Sequence, residues 1–304
     1  MRRTFFIVGP TATGKSELAA DVAHEVGAEI VSADAFQIYR GLDLLTAKPD
    51  DSMLAKAAHH LIGTTPLRNE MNAEKYRRAA SCAIDEINSR RKLAIVVGGS
   101  GLYIRALTHG LAPLPESDPR LREKLNAMSL DDLCSQLVEL DPETARTIDL
   151  KNRRRVIRAL EICSLTGKPV YAQRLCERAS HREAATGVFV FRDRQELYER
   201  INQRVEMMFE RGVIEEVRTA GEISQTASQM IGLREIREQL GGKKSPRQCI
   251  EQIQQTTRRY AKRQLTWFRR QTNFVPLNLS FLTHKEAAKW ISLRILSEAA
   301  TRDD

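Results

Sequence analysis

An α/β fold, a parallel sheet flanked by helices and interrupted by an all-helical insertion, is predicted by three features of this 304-residue chain. Residues 9–16 read Gly-Pro-Thr-Ala-Thr-Gly-Lys-Ser, a complete phosphate-binding loop. Short apolar runs alternate with helical patterns on both sides of a long central stretch, and that alternation means a parallel sheet of the P-loop NTPase-like kind. The central stretch, 116–185, carries many arginines and long helical patterns but no convincing strand.

Taken in order, Thr4-Phe5-Phe6-Ile7-Val8 suits a buried parallel strand, and 16–26 has helical spacing at Leu18, Ala19, Val22, Ala23 and Val26. Strand, loop and helix N-terminus thus arrive in the order the motif requires. Gly9 and Gly14 let the backbone curl, so that beyond Pro10 the N–H groups from Thr11, Ala12 and Thr13 onward cradle phosphate oxygens. Lys15 adds a point charge, and the Ser16 hydroxyl is placed to ligate Mg²⁺. The rival dinucleotide fingerprint fails, because Thr11 stands where its second glycine belongs. Residues 28–33 form a second strand candidate ending at Asp34. A helix is expected over 76–90 and a third strand over 93–97, leading into Gly98-Gly99-Ser100-Gly101. Past the insertion, 187–191 return as a strand, 195–211 as a helix stopped by Gly212, and 273–279 supply a last strand. The expected division is a catalytic core of 1–115 and 187–304 with a helical insertion domain at 116–186. Ligands of such sheets bind outside the carboxyl ends of the strands, where Asp34 and Ser100 stand.

Composition narrows the partners. Hydrophobic content of 42% and charged content of 29% are ordinary for a globular protein, but the net charge of +9 points to a polyanion, nucleic acid before membrane. No apolar run approaches the ~18 residues that span a bilayer. The first strand begins at once, so no targeting segment and a cytoplasmic location are expected. Cys82, Cys134, Cys163, Cys176 and Cys249 form no Cys-x-x-Cys pair and are expected to be reduced. His59 and His60 are adjacent and point apart, which favours structural or contact roles over a metal site.

A phosphate loop alone covers kinases, hydrolases and motors. Hydrolases of this class hold Mg²⁺ with an acid at the end of a later strand, whereas 93–97 end in two glycines. The carboxylate comes early, at Asp34. It suits a general base acting on an acceptor, with a helix N-cap or a water-mediated Mg²⁺ contact as the structural alternatives. Ser100, in a turn that lets the backbone approach a ligand, is a contact for phosphate or acceptor, or a loop serine satisfied by water. Two acid-free basic runs, 151–158 and 258–270, suggest a phosphate backbone as acceptor class, against the alternative of a solvated face. Arg154, Arg155 and Arg158 are expected on one helical face, and Tyr260, Gln264 and Trp267 share helical spacing. A small-molecule kinase and a non-enzymatic RNA-binding protein are the competing classes.

Several segments together resemble the tRNA dimethylallyltransferase (tRNA isopentenyltransferase) family over nearly the whole chain. They are the loop at 9–16, Ser-Ala-Asp-Ala-Phe-Gln-Ile-Tyr-Arg-Gly at 32–41, Thr-Ala-Lys-Pro at 46–49, His-His-Leu-Ile at 59–62, Val-Gly-Gly-Ser-Gly-Leu-Tyr at 97–103, Asn-Arg-Arg-Arg-Val-Ile-Arg-Ala-Leu-Glu at 152–161, and Arg-Tyr-Ala-Lys-Arg-Gln-Leu-Thr-Trp at 259–267. The resemblance implies transfer of a dimethylallyl group from dimethylallyl diphosphate to N6 of adenosine 37 in tRNA, releasing diphosphate. It implies catalytic roles for Asp34, Ser100, Lys15 and Arg204, and diphosphate binding by the loop from Gly9 to Ser16. It implies tRNA contacts at Asp34, Ala35, Phe36, Gln37, Ser100, Arg122, Arg154, Arg155, Val156, Ile157 and Arg158. The cofactor is expected to be Mg²⁺ on Ser16, the partners tRNA and dimethylallyl diphosphate, with no membrane and a monomer as default. Departures from the family pattern fall at Ala35 for serine, Leu45 for glycine, Tyr76 for phenylalanine, Ser100 for threonine and Leu233 for tyrosine.

Overall fold

The computed structural model describes residues 3–111, 114–170, 185–271 and 273–303. Six strands, β1 (Thr4–Val8), β2 (Glu29–Ser32), β3 (His59–His60), β4 (Ala94–Gly98), β5 (Thr186–Phe191) and β6 (Val275–Asn278), form one parallel sheet in the order β3-β2-β4-β1-β5-β6. The expected strands are present, with ends that differ from the expected ones by no more than two residues. Residue 279, expected in the last strand, instead opens the short 3₁₀ turn Leu279–Phe281. β3 has no counterpart in the sequence reading, because two adjacent histidines on a sheet edge make no apolar run.

Both faces of the sheet are buried, which explains the continuous apolar runs. Phe5, Ile7, Ile30, Ile95 and Val188 pack with α1 (Lys15–Val26) and with the C-terminal helix α13 (His284–Asp303). Phe6, Val8, Val31, Val96 and Phe189 face the other layer, built from α3 (Ala73–Ser89), α9 (Arg194–Glu210), α10 (Val213–Arg218), α11 (Leu233–Leu240) and α12 (Pro246–Phe268). α3 starts before the expected position 76 because the Asn72 side chain accepts from Lys75 N and caps it. α12 begins with a full capping box between Ser245 and Gln248. Among the described residues no helix is long and apolar enough to cross a membrane.

The chain divides into two compact units, Met1–Thr108 with Glu183–Asp304, and His109–Arg182. The described elements of the second are α5 (Pro119–Ala127), α6 (Leu130–Leu140), α7 (Pro142–Thr147) and α8 (Arg153–Thr166). Asp118, Ser129, Asp141 and Asn152 each cap the helix that follows. Leu125, Leu133, Leu137, Val156, Ile157 and Leu160 form this unit's own core. The first boundary falls before the expected residue 116, because residues 115–118 are tied to α8: Arg158 Nη2 donates to Pro115 O, and Ser117 Oγ and Asp118 N donate to Glu161 Oε1.

Candidate active site

Four chain turns meet at the carboxyl edge of the sheet: Gly9–Ser16 after β1, Asp34 after β2, Gly99-Ser100 after β4 and Arg192 after β5. The phosphate loop has the conformation its sequence demands. Gly14 takes φ 91, and a Cβ on Gly9 would lie 2.1 Å from Val190 O, so only glycine lets β1 end against β5. Thr13 Oγ1 and Lys15 Nζ both donate to Pro10 O, at 3.0 and 3.3 Å.

The loop is also clasped from outside, by residues to which the sequence reading gave no role of their own. Arg192 Nε donates to Thr13 O and Arg200 Nε to Ala12 O, each at 2.9 Å. Gln264 on α12 accepts from Thr11 N at 2.9 Å and donates to Gly99 O at 2.8 Å, joining two of the four turns. The available signal was the spacing of Arg200 and Arg204, one helical turn apart on one face of α9.

Arg204 Nη1 donates to Thr11 Oγ1 at 2.9 Å, while its Nε is buried with no hydrogen-bond partner. A buried cationic donor without an acceptor marks a place built for an anion. Burial, partly offset by Asp34, lowers the Arg204 pKa. Burial also lowers the Lys15 amine to about 8, with the Asp34 charge opposing and the Arg204 charge adding to the fall. Both cations therefore sit in a site where negative charge is in deficit.

Asp34 closes a turn: its Oδ1 accepts from Phe36 N at 2.9 Å and Gln37 N at 3.3 Å. No helix follows, so in place of the helix N-cap alternative Asp34 caps a turn over 35–38, through Oδ1. Ser100 holds the same turn, its Oγ accepting from Ala35 N at 2.9 Å and its N–H donating to Ala33 O at 3.2 Å. Gln37 is likewise engaged inside the protein, its amide donating to Ala47 O at 2.8 Å. Three phenols respond to the Asp34 charge. Tyr76, Tyr103 and Tyr260 are all pushed up, first by burial and then by neighbours that include Asp34. Tyr76 and Tyr103 stack at 3.9 Å, and the Tyr76 hydroxyl donates to Ser32 O.

These groups open onto a small cleft that is partly open to solvent. Thr11, Asp34, Arg204 and Tyr260 give it a charged and polar part; Leu45, Val205, Met208, Met230 and Ile253 supply apolar wall, with Thr46 and Thr257 among them.

The helical unit treats its arginines differently. Glu161, fully buried, accepts from Arg122 at 2.8 Å and from Arg158 at 2.6 Å. Burial alone would raise its pKa; the bonds from Arg158 and Ser117 and the two charges hold it below the usual carboxylate range. Arg153 donates to the Leu125, Asn126 and Met128 carbonyls. Val156 and Ile157 are in the core, so the single arginine face expected on α8 is not formed: Arg154 and Arg155 are exposed, while Arg158 turns inward. In the run 258–270, on α12 and just past its end, the exposed cations are Arg259, Lys262, Arg263, Arg269 and Arg270, whereas Trp267 and Phe268 pack in or against the core. His60 Nε2 lies 2.8 Å from buried Glu29 Oε2 and His59 Nδ1 2.8 Å from Ala57 O, which makes both structural. Cys82, Cys134, Cys163 and Cys249 are free thiols; Cys176 lies outside the described residues.

A phosphate loop on the carboxyl edge of a parallel sheet, beside a cleft of mixed polar and apolar lining that includes one carboxylate, Asp34, defines an α/β protein of the P-loop class. The sequence model of the family described as IPP transferase matches residues 37–271. The chain belongs to that family. It is 45% identical to tRNA dimethylallyltransferase 1 of Citrifermentans bemidjiense over 86% of this chain and 87% of that one. It is 42% identical to the tRNA dimethylallyltransferase of Akkermansia muciniphila, covering 88% and 90%. Among solved structures, the tRNA isopentenylpyrophosphate transferase of Bacillus halodurans superposes with a TM-score of 0.72 at 31% identity, covering 100% of both chains.

Proposed function

We propose that this protein transfers a dimethylallyl group from dimethylallyl diphosphate to the exocyclic N6 of adenosine 37 in tRNA. The observation that carries the proposal is one cleft that brings Arg204, with its unpartnered buried Nε, and the Asp34 carboxylate together with apolar wall from Leu45, Val205, Met208, Met230 and Ile253. A kinase would need a polar acceptor seat in place of the leucine, methionine and isoleucine wall. The names of the relatives point the same way.

In this reading the loop from Gly9 to Ser16 holds the diphosphate. Lys15 and Arg204 neutralise the charge that grows on it as the allylic C–O bond breaks. The adenine amine forms the new C–N bond, and its proton passes to Asp34 and on to solvent. Tyr260 and Ser100 keep Asp34 and its turn in place. An exocyclic amine is a weak nucleophile, so orientation by Asp34 contributes alongside proton removal. The base leaves its stack to reach the cleft. Arg154 and Arg155, with the cations of α12, would meet the phosphate backbone.

Mg²⁺ would be held by the Ser16 hydroxyl, with phosphate oxygens and water as its other ligands. A hydroxyl beside phosphate oxygens is a hard oxygen donor set of the kind this ion takes. When bound, the ion supplies further neutralisation of the leaving diphosphate. A cytoplasmic location and a monomer accompany the proposal.

The test is incubation of the protein with Mg²⁺, labelled dimethylallyl diphosphate and tRNA bearing adenosine at position 37. Label in the RNA is expected, and Asp34→Ala should lower turnover by roughly 10² or more while tRNA affinity changes little. Failure with several such tRNAs, together with phosphoryl transfer from ATP to a metabolite, would establish the kinase instead.

A further inference from the structure

We infer that Leu45 is the floor of the cleft and sets how long an allylic chain it admits; this rests on the reading of the cleft as a prenyl seat. The order of residues along α12 gives the cleft its depth. Gln264 touches the phosphate loop, and Tyr260, Thr257 and Ile253 line the cleft at successive turns away from it. At 1.5 Å per residue, Ile253 stands about 16 Å along the helix axis from Gln264.

Leu45 closes that far end. A Cβ built on Gly232 would lie 2.9 Å from Leu45 Cδ1 and 3.4 Å from Ile253 Cδ1, so the tips of both side chains converge on one point at the start of α11. Leu45 is 7% exposed and lines the cleft.

The floor is held from two sides. Leu44 N and Leu45 N donate to the two carboxylate oxygens of Glu216 on α10, at 2.8 and 2.9 Å. The next two residues are held by Gln37, whose amide donates to Thr46 O and Ala47 O. With its backbone fastened, this segment cannot retreat from a longer ligand, and the side-chain volume at position 45 converts directly into permitted chain length. Met208 and Met230 in the wall are unbranched and adaptable, so they adjust to the width of a ligand more readily than a fixed leucine adjusts to its length.

The experiment measures, by calorimetry, the affinities of inorganic diphosphate, dimethylallyl diphosphate and geranyl diphosphate for the wild type, Leu45→Ala and Leu45→Phe. Wild type should prefer the five-carbon chain. Leu45→Ala should raise the ten-carbon to five-carbon affinity ratio about tenfold or more, and Leu45→Phe should weaken the five-carbon ligand by a similar factor. Inorganic diphosphate should bind all three proteins alike, reporting an intact loop. If Leu45→Ala loses diphosphate binding, Leu45→Val supplies the same ratio with a smaller perturbation. An unmoved chain-length ratio with diphosphate affinity intact would overturn the inference and leave the prenyl seat standing. A wild type that binds diphosphate no more tightly when any prenyl chain is attached would overturn the seat itself, and the floor with it.

Discussion

Arg204 at the phosphate loop and Arg158 in the helical unit are put to opposite uses. At the loop, Arg192 and Arg200 hold backbone carbonyls, and Arg204 keeps a buried Nε without a partner. In the helical unit, Arg122 and Arg158 are consumed by Glu161, and Arg153 by three carbonyls. What separates them is the local supply of acceptors. A guanidinium is available to a ligand where the fold leaves one of its N–H groups without an acceptor, as at Arg204 and not at Arg192, which also pairs with Glu196, and the basic density of a sequence window does not measure that. The run 151–158 contains no acid, yet the acid that neutralises Arg158 lies one helical turn beyond it.

The contrast breaks most visibly at Arg204. Arg204→Gln should lower kcat by about 10² to 10³, equivalent to about 2.7–4 kcal/mol of charge stabilisation, with the melting temperature little changed. Steady-state kinetics beside a melting curve would check this; an effect on KM alone would make Arg204 a ground-state binder.

Arg158→Ala should do the reverse, costing the helical unit on the order of 2–3 kcal/mol while chemistry on bound substrate persists. The lower part of the usual range applies because Arg158 is a third exposed and Arg122 remains. The sign of its pH dependence follows from Glu161, whose pKa is depressed in the fold. Its contribution is complete above the ordinary value of 4.5 and is lost as pH falls through the folded value, so the gap between wild type and Arg158→Ala should narrow on acidification below 4.5. Denaturant titrations at pH 7 and at successively lower pH would show it; a gap that widens would remove Glu161 from the account.

The smallest effect is expected at the solvent face of α8. Replacing Arg154 and Arg155 with alanine should leave stability within about 0.5 kcal/mol and flatten the salt dependence of tRNA binding by roughly one unit per lost phosphate contact. An unaltered slope would return these two to the role of a solvated helix face.

Much of the edge that carries the site was legible in the chain. Residues 9–16 specify their own backbone shape, the strands before Gly9 and Gly98 are apolar because both sheet faces are covered, and Asp34 and Ser100 stand where such strands end. The clasp around the loop was not legible, since Thr11 and Arg204 lie 193 residues apart and Thr11 and Gln264 lie 253 apart. β3 was missed because His59 and His60 pair with β2 by register and His60 meets Glu29 through its ring nitrogen, neither of which leaves an apolar pattern.

By itself, then, the sequence determined the phosphate loop, the alternation of strand and helix, and family membership, because each depends on backbone conformation and side-chain pattern over short stretches. Only the tertiary structure decided which arginines stay free for an anion, that Ser100 serves the Asp34 turn, and that Leu45 and Ile253 close one end of a cleft. Charge pairing and cavity shape are settled through space, between groups that the chain keeps far apart.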